Sequence, residues 1–473
     1  MAGIDSELVK SIVTRVLSEL DGKSSDGAAA LSGGGVFDQV DEAVRAAAAA
    51  QKQWARTSLD RRGKVIAALR RAMHEHAEEF ARLAHEETGM GRVEDKIRKH
   101  HVAADATPGL EDLEVRSFSG DKGLVVEEYA PYGVVAAITP STHPIPVMLN
   151  SIIIITAPGN AAVFSVHPAA KRVSARAMGV FSQAIQAAGG PANLVCMVRE
   201  PTMDAVARLF SHPAVALIAA TGGPALVEAA FRSGKKVIAA GPGNPPVLVD
   251  ATACLDSAAE RIIEGAAFDN NILCIAEKEI FVVEAVFDRF VESLRKAGAV
   301  ELNRLQIQAL TERAFTRGDG DHWQVNRELV GRNASDLARA AGRLDLSDDV
   351  RLLFGETPFE HPFVQEEQMM PFLPLVRVRD AEQGTELAVR AEHGYRHTAM
   401  IHSNDFATVT EFARQVNTSI VVVNGSSLAG NGPPVGEGYF SHTIASPTGE
   451  GVCTPRDFGR IRRLSTFGSL RIV

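Results

Sequence analysis

The chain has 473 residues, of which 45% are hydrophobic and 23% are charged, and its formal net charge at pH 7 is −9. This length predicts two large domains with accessory segments, and the acidic balance disfavours a general nucleic-acid-binding role, which requires a basic face. The four cysteines form no CxxC motif and have no regular spacing, which indicates a reduced protein without a disulfide framework or a zinc site.

The first predicted element is a short amphipathic helix over residues 3–20. Its apolar residues recur at helical spacing from Ile4 to Leu20. A glycine- and serine-rich stretch over 21–35 follows and is typical of a flexible linker. A helix separated from its domain in this way is predicted to be a docking tag; the alternative is that it is simply the first helix of the fold.

Charged, alanine-rich helices are predicted from Val36 to about Glu111, and residues 113–130 alternate like a hairpin. From Val134 onward strands and helices alternate, which indicates a parallel sheet covered on both faces. The predicted elements are strands 134–139, 161–165, 215–219 and 237–239, and helices at about 145–157, at about 169–187 and from Pro224 to a C-cap at Gly234.

The most apolar stretch of the chain, 147–166, is interrupted by polar residues, a proline and a glycine. It therefore predicts a buried helix, a turn and a strand, and no membrane span.

A second βα region is predicted from Pro246 to about residue 430, and it carries Cys274 just before a predicted strand over 279–283. Paired amides precede Cys274, and these surroundings indicate a nucleophilic thiol. Such a thiol must be partly exposed and able to lose its proton. The alternative is a small buried hydrophobe, which is the usual environment of a free cysteine.

Other candidate residues are predicted to be structural. Cys196 and Cys254 lie in apolar stretches and are predicted to be core residues, and Cys453 is predicted to be passive. His393 and His397 are four residues apart, but the residues between them indicate a loop, so no metal site is predicted.

Six short stretches carry a further signal through their order. They are Thr-Pro-Ser-Thr-His-Pro at 139–144, Phe-Ser-Val-His-Pro at 164–168, Thr-Gly-Gly at 221–223, Ala-Gly-Pro-Gly-Asn at 240–244, Cys274, and Glu-Glu-Gln-Met-Met-Pro at 366–371. Together they resemble the aldehyde dehydrogenase superfamily, and within it the CoA-acylating acetaldehyde and propionaldehyde dehydrogenases of bacterial microcompartments. The resemblance extends from about Val36 to Val473.

The resemblance implies an α/β fold of the aldehyde dehydrogenase type, with a Rossmann-type cofactor domain, an α/β catalytic domain and a small oligomerisation element. The expected divisions are a NAD-binding domain over 36–243 that includes an oligomerisation hairpin at 113–130, a catalytic domain over 244–430, and a C-terminal return over 431–473 with an oligomerisation strand at Arg463–Ile472.

Cofactor contacts are expected at several strand ends. Thr221, Gly222 and Gly223 lie between a predicted strand and a helix N-terminus, where glycines let the backbone approach a pyrophosphate; the alternative is a tight turn without a ligand. The resemblance implies NAD as the cofactor, although the superfamily lysine is absent from 164–168, so NADP stays open. It places further contacts at Thr139, Pro140, Ser165, His167 and Gly241, and it places Glu367 on the nicotinamide ribose.

The resemblance also implies a reaction. Hydrolytic members of the superfamily place a glutamate base where residues 240–244 have no ionisable side chain. A thioester on Cys274 is then expected to persist until coenzyme A cleaves it, which turns a short-chain aldehyde, CoA and NAD⁺ into acyl-CoA and NADH. Oxyanion donors are expected from the Cys274 backbone and from a side chain of the pair Thr142 and His143; the alternative for His143 is a packed loop residue. The alternatives are a hydrolytic aldehyde dehydrogenase that gives the carboxylate and a non-catalytic, shell-associated protein.

Partners follow from the same resemblance. Residues 1–20 are expected to dock on a microcompartment shell protein as a helix in a groove, and the chain is expected to form a homodimer or homotetramer. The expected location is the lumen of a microcompartment in the bacterial cytoplasm. No nucleic acid, membrane or metal partner is expected.

Overall fold

The computed structural model describes residues 34–318 and 323–471. The predicted helix 3–20 and nearly all of the predicted linker 21–35 lie outside the described residues. The described chain divides into two compact units, one formed by the residues up to Glu87, Lys99–Gly241 and the residues from Tyr439, the other by Thr88–Arg98 and Pro242–Gly438. The assignment of cofactor binding to 36–243, catalysis to 244–430 and oligomerisation to 431–473 stays a prediction.

The strands of the described residues are numbered in chain order. They are β1 (Val36–Phe37), β2 (Arg116–Gly120), β3 (Gly123–Pro131), β4 (Val134–Thr139), β5 (Ala161–Val166), β6 (Val195–Val198), β7 (Val215–Thr221), β8 (Lys236–Ala240), β9 (Pro246–Val249), β10 (Glu279–Val283), β11 (Val300–Glu301), β12 (Phe315–Arg317), β13 (Trp323–Val325), β14 (Leu353–Glu356), β15 (Phe372–Val378), β16 (Thr398–His402), β17 (Ile420–Val423), β18 (Ile444–Ala445), β19 (Gly451–Val452) and β20 (Gly459–Ser465).

The helices are numbered in the same way. They are α1 (Val40–Trp54), α2 (Leu59–Thr88), α3 (Val93–Ala106), α4 (Pro144–Thr156), α5 (Lys171–Ala187), α6 (Met203–Ser211), α7 (Pro224–Arg232), α8 (Leu255–Ala266), α9 (Phe287–Lys296), α10 (Arg304–Ala314), α11 (Ala334–Ala340), α12 (Pro362–Gln365), α13 (Ala381–Ala391) and α14 (Phe406–Val416). No helix among the described residues combines the length and the apolar character that crossing a membrane requires.

The first unit contains a parallel sheet with the strand order β1-β6-β5-β4-β7-β8. From β4 the chain continues through β5 and β6 on one side, whereas β7 and β8 lie on the other side. Such a reversal makes a crevice at the carboxyl ends of the strands, where open α/β sheets bind their ligands. The predicted strand 134–139 is confirmed as β4, and the other three predicted strands correspond to β5, β7 and β8.

The three helices predicted in this region correspond to α4, α5 and α7. The predicted C-cap of α7 shifts by one residue, because Ser233 is the C-cap residue and still has helical backbone angles. Gly234 follows it with a φ of +71°, a conformation that glycine adopts without steric cost and that ends a helix.

The apolar stretch 147–166 is confirmed as a buried helix, a turn and a strand. Every residue of α4 is buried, and so is every residue of β5. Two polar residues inside α4 have hydrogen-bond partners: Asn150 donates to Thr107 Oγ1 at 3.2 Å, and Thr156 Oγ1 donates to the Ile152 carbonyl at 2.6 Å. A buried polar group costs little once it is hydrogen-bonded, so these residues are compatible with a core helix.

The predicted hairpin at 113–130 is confirmed as β2 and β3, which pair from Arg116↔Glu127 to Gly120↔Gly123. The predicted late strand at Arg463–Ile472 is wrong in its position, because β20 spans Gly459–Ser465 and pairs with β3 from Gly459↔Pro131 to Ser465↔Val125. The strand ends before Gly468, whose φ of +71° belongs to a turn. These three strands form a separate antiparallel sheet.

The second unit contains a parallel sheet with the strand order β11-β14-β15-β10-β9-β16-β17. The predicted strand 279–283 is confirmed as β10, a central strand whose residues are all buried. Because β10 begins shortly after Cys274, at Glu279, the rigid sheet anchors one end of the segment that carries this cysteine.

Candidate active site

In the first unit, two predicted cofactor residues end neighbouring strands. Thr139 closes β4, Ser165 is the penultimate residue of β5, and both are buried. Neither hydroxyl oxygen has a hydrogen-bond partner among the described residues. A buried hydroxyl without a partner is costly, so these two groups are ready to be satisfied by a ligand. Pro140 follows Thr139 directly and is half-buried.

Thr221 ends β7, and Gly222 and Gly223 connect it to α7 at the same edge of the sheet. The Gly222 N–H donates to the Ala240 carbonyl at 3.1 Å, which holds the turn against β8. Gly223 is the N-cap residue of α7, and a Cβ added to it would have no heavy atom within 4 Å. The start of a helix with open space beside it is suited to a phosphate group.

The remaining predicted residues of this edge have mainly structural contacts. His167 Nδ1 accepts a hydrogen bond from the Ala169 N–H at 3.1 Å and so caps a short 3-10 helix. Gly241 packs so closely on Pro447 that a Cβ would lie 2.9 Å from the proline Cγ. Their contacts with a cofactor stay predictions.

His143 precedes α4 as its N-cap residue and is buried. Its ring stacks on His442 with centroids 5.4 Å apart and an interplanar angle of 28°. Burial and the Lys99 charge lower the pKa of His442 to about 3, so this ring is neutral at pH 7. His143 therefore packs against a neutral aromatic partner, and Thr142 is the half-buried residue before it. Their role as oxyanion donors stays a prediction.

In the second unit, Cys274 is partly exposed as a residue, as a nucleophile requires. Desolvation of the thiol and the Glu367 carboxylate raise its pKa to about 12, whereas Lys278 acts to lower it. The thiol is therefore protonated at rest, and the reaction needs a group that takes up its proton.

The backbone before Cys274 contains three consecutive residues in the left-handed region. Asp269, Asn270 and Asn271 have φ values of +48°, +56° and +65°. Asp and Asn tolerate this conformation better than other residues with a side chain, which explains the sequence Asp-Asn-Asn. We call Asp269–Lys278 the nucleophile turn, after the predicted role of Cys274. A run of such residues stores strain and persists only when its surroundings fix it.

Side-chain hydrogen bonds fix the first half of the nucleophile turn. Asp269 accepts from the Arg92 N–H at 2.7 Å and from Lys96 Nζ at 3.2 Å. Asn270 Nδ2 donates to the Gly331 carbonyl and to Asn333 Oδ1, both at 2.9 Å. The first of the paired amides is thus a structural clamp.

Asn271 and Glu277 fix the second half. Asn271 Nδ2 donates to the carbonyls of Ala266 and Glu277, both at 2.9 Å. The Glu277 carboxylate accepts from the Ser427 N–H and Oγ, both at 2.8 Å. Both ends of the turn are therefore connected to the body of the unit through buried groups.

The stretch 240–244 contributes backbone and an amide, and it contains no ionisable side chain. A Cβ on Gly243 would lie 2.9 Å from the Cys274 carbonyl oxygen and 2.9 Å from His397 Cγ, so Gly243 lets these two residues approach each other. Asn244 Nδ2 donates to the carbonyls of Val364 and Ala391, both at 2.9 Å.

Glu367 lies next to Gly243 and acts electrostatically on Cys274. It accepts a hydrogen bond from the Gly243 N–H, which together with Lys278 acts to lower its pKa, but burial dominates and raises the pKa to about 7. The structure thus brings the predicted ribose ligand into electrostatic contact with Cys274. Binding of a ribose by Glu367 stays a prediction.

His397 is a functional candidate that the sequence pattern does not identify. Its ring lies next to Gly243, on the side that also meets the Cys274 carbonyl. Nδ1 is 2.9 Å from Thr398 Oγ1, whereas Nε2 is buried without a hydrogen-bond partner among the described residues. Burial and Lys278 lower its pKa to about 4, so it is a neutral base at pH 7.

The contact of His397 with Gly243 could be predicted only from the pairing of strands in the sheet. Gly243 lies shortly before β9, His397 lies directly before β16, and the two strands pair side by side in parallel. Residues that precede neighbouring parallel strands meet at one edge of the sheet. The two strands are far apart along the chain, so their pairing, and with it this contact, is not evident from a local motif.

One prediction about the other cysteines is wrong. Cys254 is exposed, because it lies at the N-cap position of α8 and not in the core. Cys196 is buried in β6, and burial raises its pKa to about 12. Cys453 is buried, and burial raises its pKa well above its usual value. Among the four cysteines, Cys274 alone combines partial exposure with the field of both Glu367 and Lys278.

The second unit thus gathers a partly exposed thiol, a carboxylate, a neutral imidazole and a buried ammonium around one turn. These groups suit nucleophilic acyl chemistry, in which a thiolate attacks a carbonyl carbon and a neighbouring base handles the protons.

Comparison with known proteins gives the same picture. Residues 34–306 match the model of the aldehyde dehydrogenase family. The acetaldehyde dehydrogenase (acetylating) EutE of Salmonella typhimurium is 44% identical over 470 residues, which cover 98% of this chain and 99% of that protein.

Two solved structures are similar over nearly the whole chain. A propionaldehyde dehydrogenase from the Clostridium phytofermentans fucose utilisation bacterial microcompartment is 43% identical with a TM-score of 0.90, covering 93% of this chain and 100% of that one. A Rhodopseudomonas palustris propionaldehyde dehydrogenase with bound CoA and an acylated cysteine is 42% identical with a TM-score of 0.90, again covering 93% and 100%.

Proposed function

Because the chain belongs to the aldehyde dehydrogenase family, we propose that it is a CoA-acylating aldehyde dehydrogenase. It converts a short-chain aldehyde, CoA and an oxidised nicotinamide cofactor into acyl-CoA and the reduced cofactor. The observation that carries this assignment is the environment of Cys274. This cysteine is partly exposed in a fixed turn, and Gly243 packs beside it. Gly243 belongs to the stretch 240–244, which has no ionisable side chain. The similar enzyme with bound CoA and an acylated cysteine supports it.

The residues at the strand ends of the first unit fit a nicotinamide dinucleotide. The hydroxyls of Thr139 and Ser165, which have no hydrogen-bond partner within 34–318 and 323–471, offer donors and acceptors, and the open space at Gly223 admits a phosphate. When bound, the cofactor accepts a hydride from the substrate. NAD is the finer proposal, and Glu367 is its proposed ribose ligand.

The chain's own residues then perform acyl transfer. The Cys274 thiol releases its proton to the solvent as its sulfur attacks the aldehyde carbon. Loss of hydride from the tetrahedral adduct to the oxidised cofactor would then leave an acyl thioester on Cys274. His397, neutral with its Nε2 unsatisfied among the described residues, accepts the proton of the CoA thiol as its sulfur attacks the thioester. The proton then passes to the departing Cys274 sulfur, so the cycle closes without a net proton on the imidazole.

Absorbance of the reduced cofactor tests this proposal with propionaldehyde and NAD⁺, with and without CoA. Sustained reduction is expected only with CoA, together with acyl-CoA as the product. Equal turnover without CoA, with release of the free acid, would replace the proposal by the hydrolytic reaction. Cofactor binding without any aldehyde-dependent reduction would favour the non-catalytic alternative. Repeating the assay with NADP⁺ and with acetaldehyde tests the finer choices.

The proposed partners are a shell protein and further copies of this chain. Residues 1–20 are proposed to dock on a shell protein in the microcompartment lumen of a bacterial cytoplasm, and deletion of 1–33 should then leave activity intact and abolish shell association. The antiparallel sheet supports a homodimer or homotetramer, because Phe118, Ile461 and Leu464 are 57%, 62% and 69% exposed on it. Sedimentation of a variant with charged residues at these positions tests the oligomer.

A further inference from the structure

Lys278 lies inside the second unit with its whole side chain buried. Its Nζ donates to the Asn271 carbonyl at 2.8 Å, to Asn271 Oδ1 at 2.5 Å and to the Leu273 carbonyl at 3.2 Å. These three acceptors lie on the residues that lead into Cys274. One ammonium group therefore uses all three of its N–H donors to fix the approach to the nucleophile.

The charge of this ammonium is retained near neutral pH. Burial lowers the pKa of Lys278 to about 8, and the nearby groups Glu367, Cys274, Glu277 and Glu279 oppose that shift. The Lys278 charge in turn favours the thiolate of Cys274 and disfavours a protonated His397. Glu367 acts in the opposite sense on Cys274.

We propose that Lys278 is a positioning residue for the acyl-transfer reaction, which fixes the nucleophile turn through the carbonyls of Asn271 and Leu273 and stabilises the Cys274 thiolate through its charge. This proposal rests on the proposed function for the role of Cys274 as nucleophile. The thiolate forms twice in the cycle, before attack on the aldehyde and on departure from the thioester. A fixed cation that is hydrogen-bonded to the preceding residue, Leu273, and whose charge favours the thiolate therefore assists both half-reactions.

A purely structural role for Lys278 makes a different prediction. A neutral side chain that still donates hydrogen bonds would then replace the lysine without changing the acidity of Cys274. Lys278→Gln keeps a donor and removes the charge, Lys278→Met removes both, and Lys278→Arg keeps the charge. Comparing the three variants separates the two roles.

The experiment is the rate of iodoacetamide alkylation of Cys274 in the full chain at pH 7, followed by mass spectrometry of the peptide that contains it. Because the thiolate is the reacting species, a loss of one nearby charge is expected to slow alkylation about tenfold in Lys278→Gln and Lys278→Met. Lys278→Arg should restore most of the wild-type rate. The exposed Cys254 serves as the internal reference thiol. An unchanged rate in folded Lys278→Gln would overturn the proposal.

A second variant keeps the test decisive if the lysine variants do not fold. Glu367→Gln removes the carboxylate that opposes Lys278. Because burial raises the pKa of Glu367 to about 7, this carboxyl is about half ionised at pH 7, so alkylation of Cys274 is expected to become about twofold faster. An unchanged rate there would show that the charges at this turn do not reach the thiol, and the proposal would fail. Failure of the proposed function is a separate result, namely no acylated Cys274 peptide after incubation with aldehyde and oxidised cofactor.

Discussion

The nucleophile turn and the strand ends of the first unit differ in how fully their polar groups are hydrogen-bonded within the protein. The nucleophile turn has three left-handed residues and a dense set of buried hydrogen bonds, so its geometry is fixed before any substrate binds. The strand ends instead leave the hydroxyls of Thr139 and Ser165 without partners among the described residues. This contrast fits the proposed roles: the protein itself holds a covalent nucleophile in place, whereas a dissociable cofactor would supply the missing contacts when it binds.

Replacing Cys274, the proposed nucleophile, should have the largest effect on activity. Cys274→Ala is expected to lower aldehyde-dependent cofactor reduction by at least about 1000-fold, because no acyl thioester can form. The melting temperature and the cofactor dissociation constant are expected to stay unchanged, since the substitution leaves the strand ends as they are. Cys254→Ala is the matched control and should retain full activity. Turnover by Cys274→Ala would remove the thioester mechanism.

Removing a clamp of the nucleophile turn should cost stability. Asn270→Ala loses the hydrogen bonds to Gly331 and Asn333. It also leaves alanine, whose side chain makes no hydrogen bonds, at a φ of +56°. We expect the free energy of unfolding in urea to fall by about 3 kcal/mol. Glycine tolerates the left-handed backbone, so the loss of unfolding free energy in Asn270→Gly should be about 1 kcal/mol smaller than in Asn270→Ala. Equal losses in the two variants would show that the backbone is not strained there.

The pH dependence of stability tests the burial of Glu277. Burial raises the pKa of this carboxyl to about 7, so the folded state keeps a proton that the unfolded state releases near its usual value. The resulting stability is fully present below the unfolded pKa of about 4 and is lost as the pH rises through about 7. Relative to Glu277→Gln, the wild type should lose about 2 kcal/mol of unfolding free energy between pH 5 and pH 8. A constant difference across this range would contradict the raised pKa.

Much of this architecture was predictable from sequence, and the site was predictable only in part. The strand at 134–139 and the buried stretch at 147–166 follow from hydrophobic patterns that local geometry imposes. The contact of His397 with Gly243 was not predictable, because it depends on the pairing of β9 with β16, two strands that are distant along the chain. The exposure of Cys254 was missed for a related reason: apolar neighbours indicate a core only when the helix start is placed correctly.

The smallest expected effect concerns the strand ends. Ser165→Ala removes a buried hydroxyl that has no partner among the described residues, so the unfolding free energy should rise by less than about 1 kcal/mol. The same variant should weaken cofactor binding several-fold, measured by titration with the reduced cofactor. Ser174→Ala is the matched control, since its hydroxyl is also buried and without a partner there but lies within α5. Ser174→Ala should show the same gain in stability and leave cofactor binding unchanged. A loss of stability in Ser165→Ala would show that the Ser165 hydroxyl is hydrogen-bonded without a ligand, and the contrast with the nucleophile turn would fail.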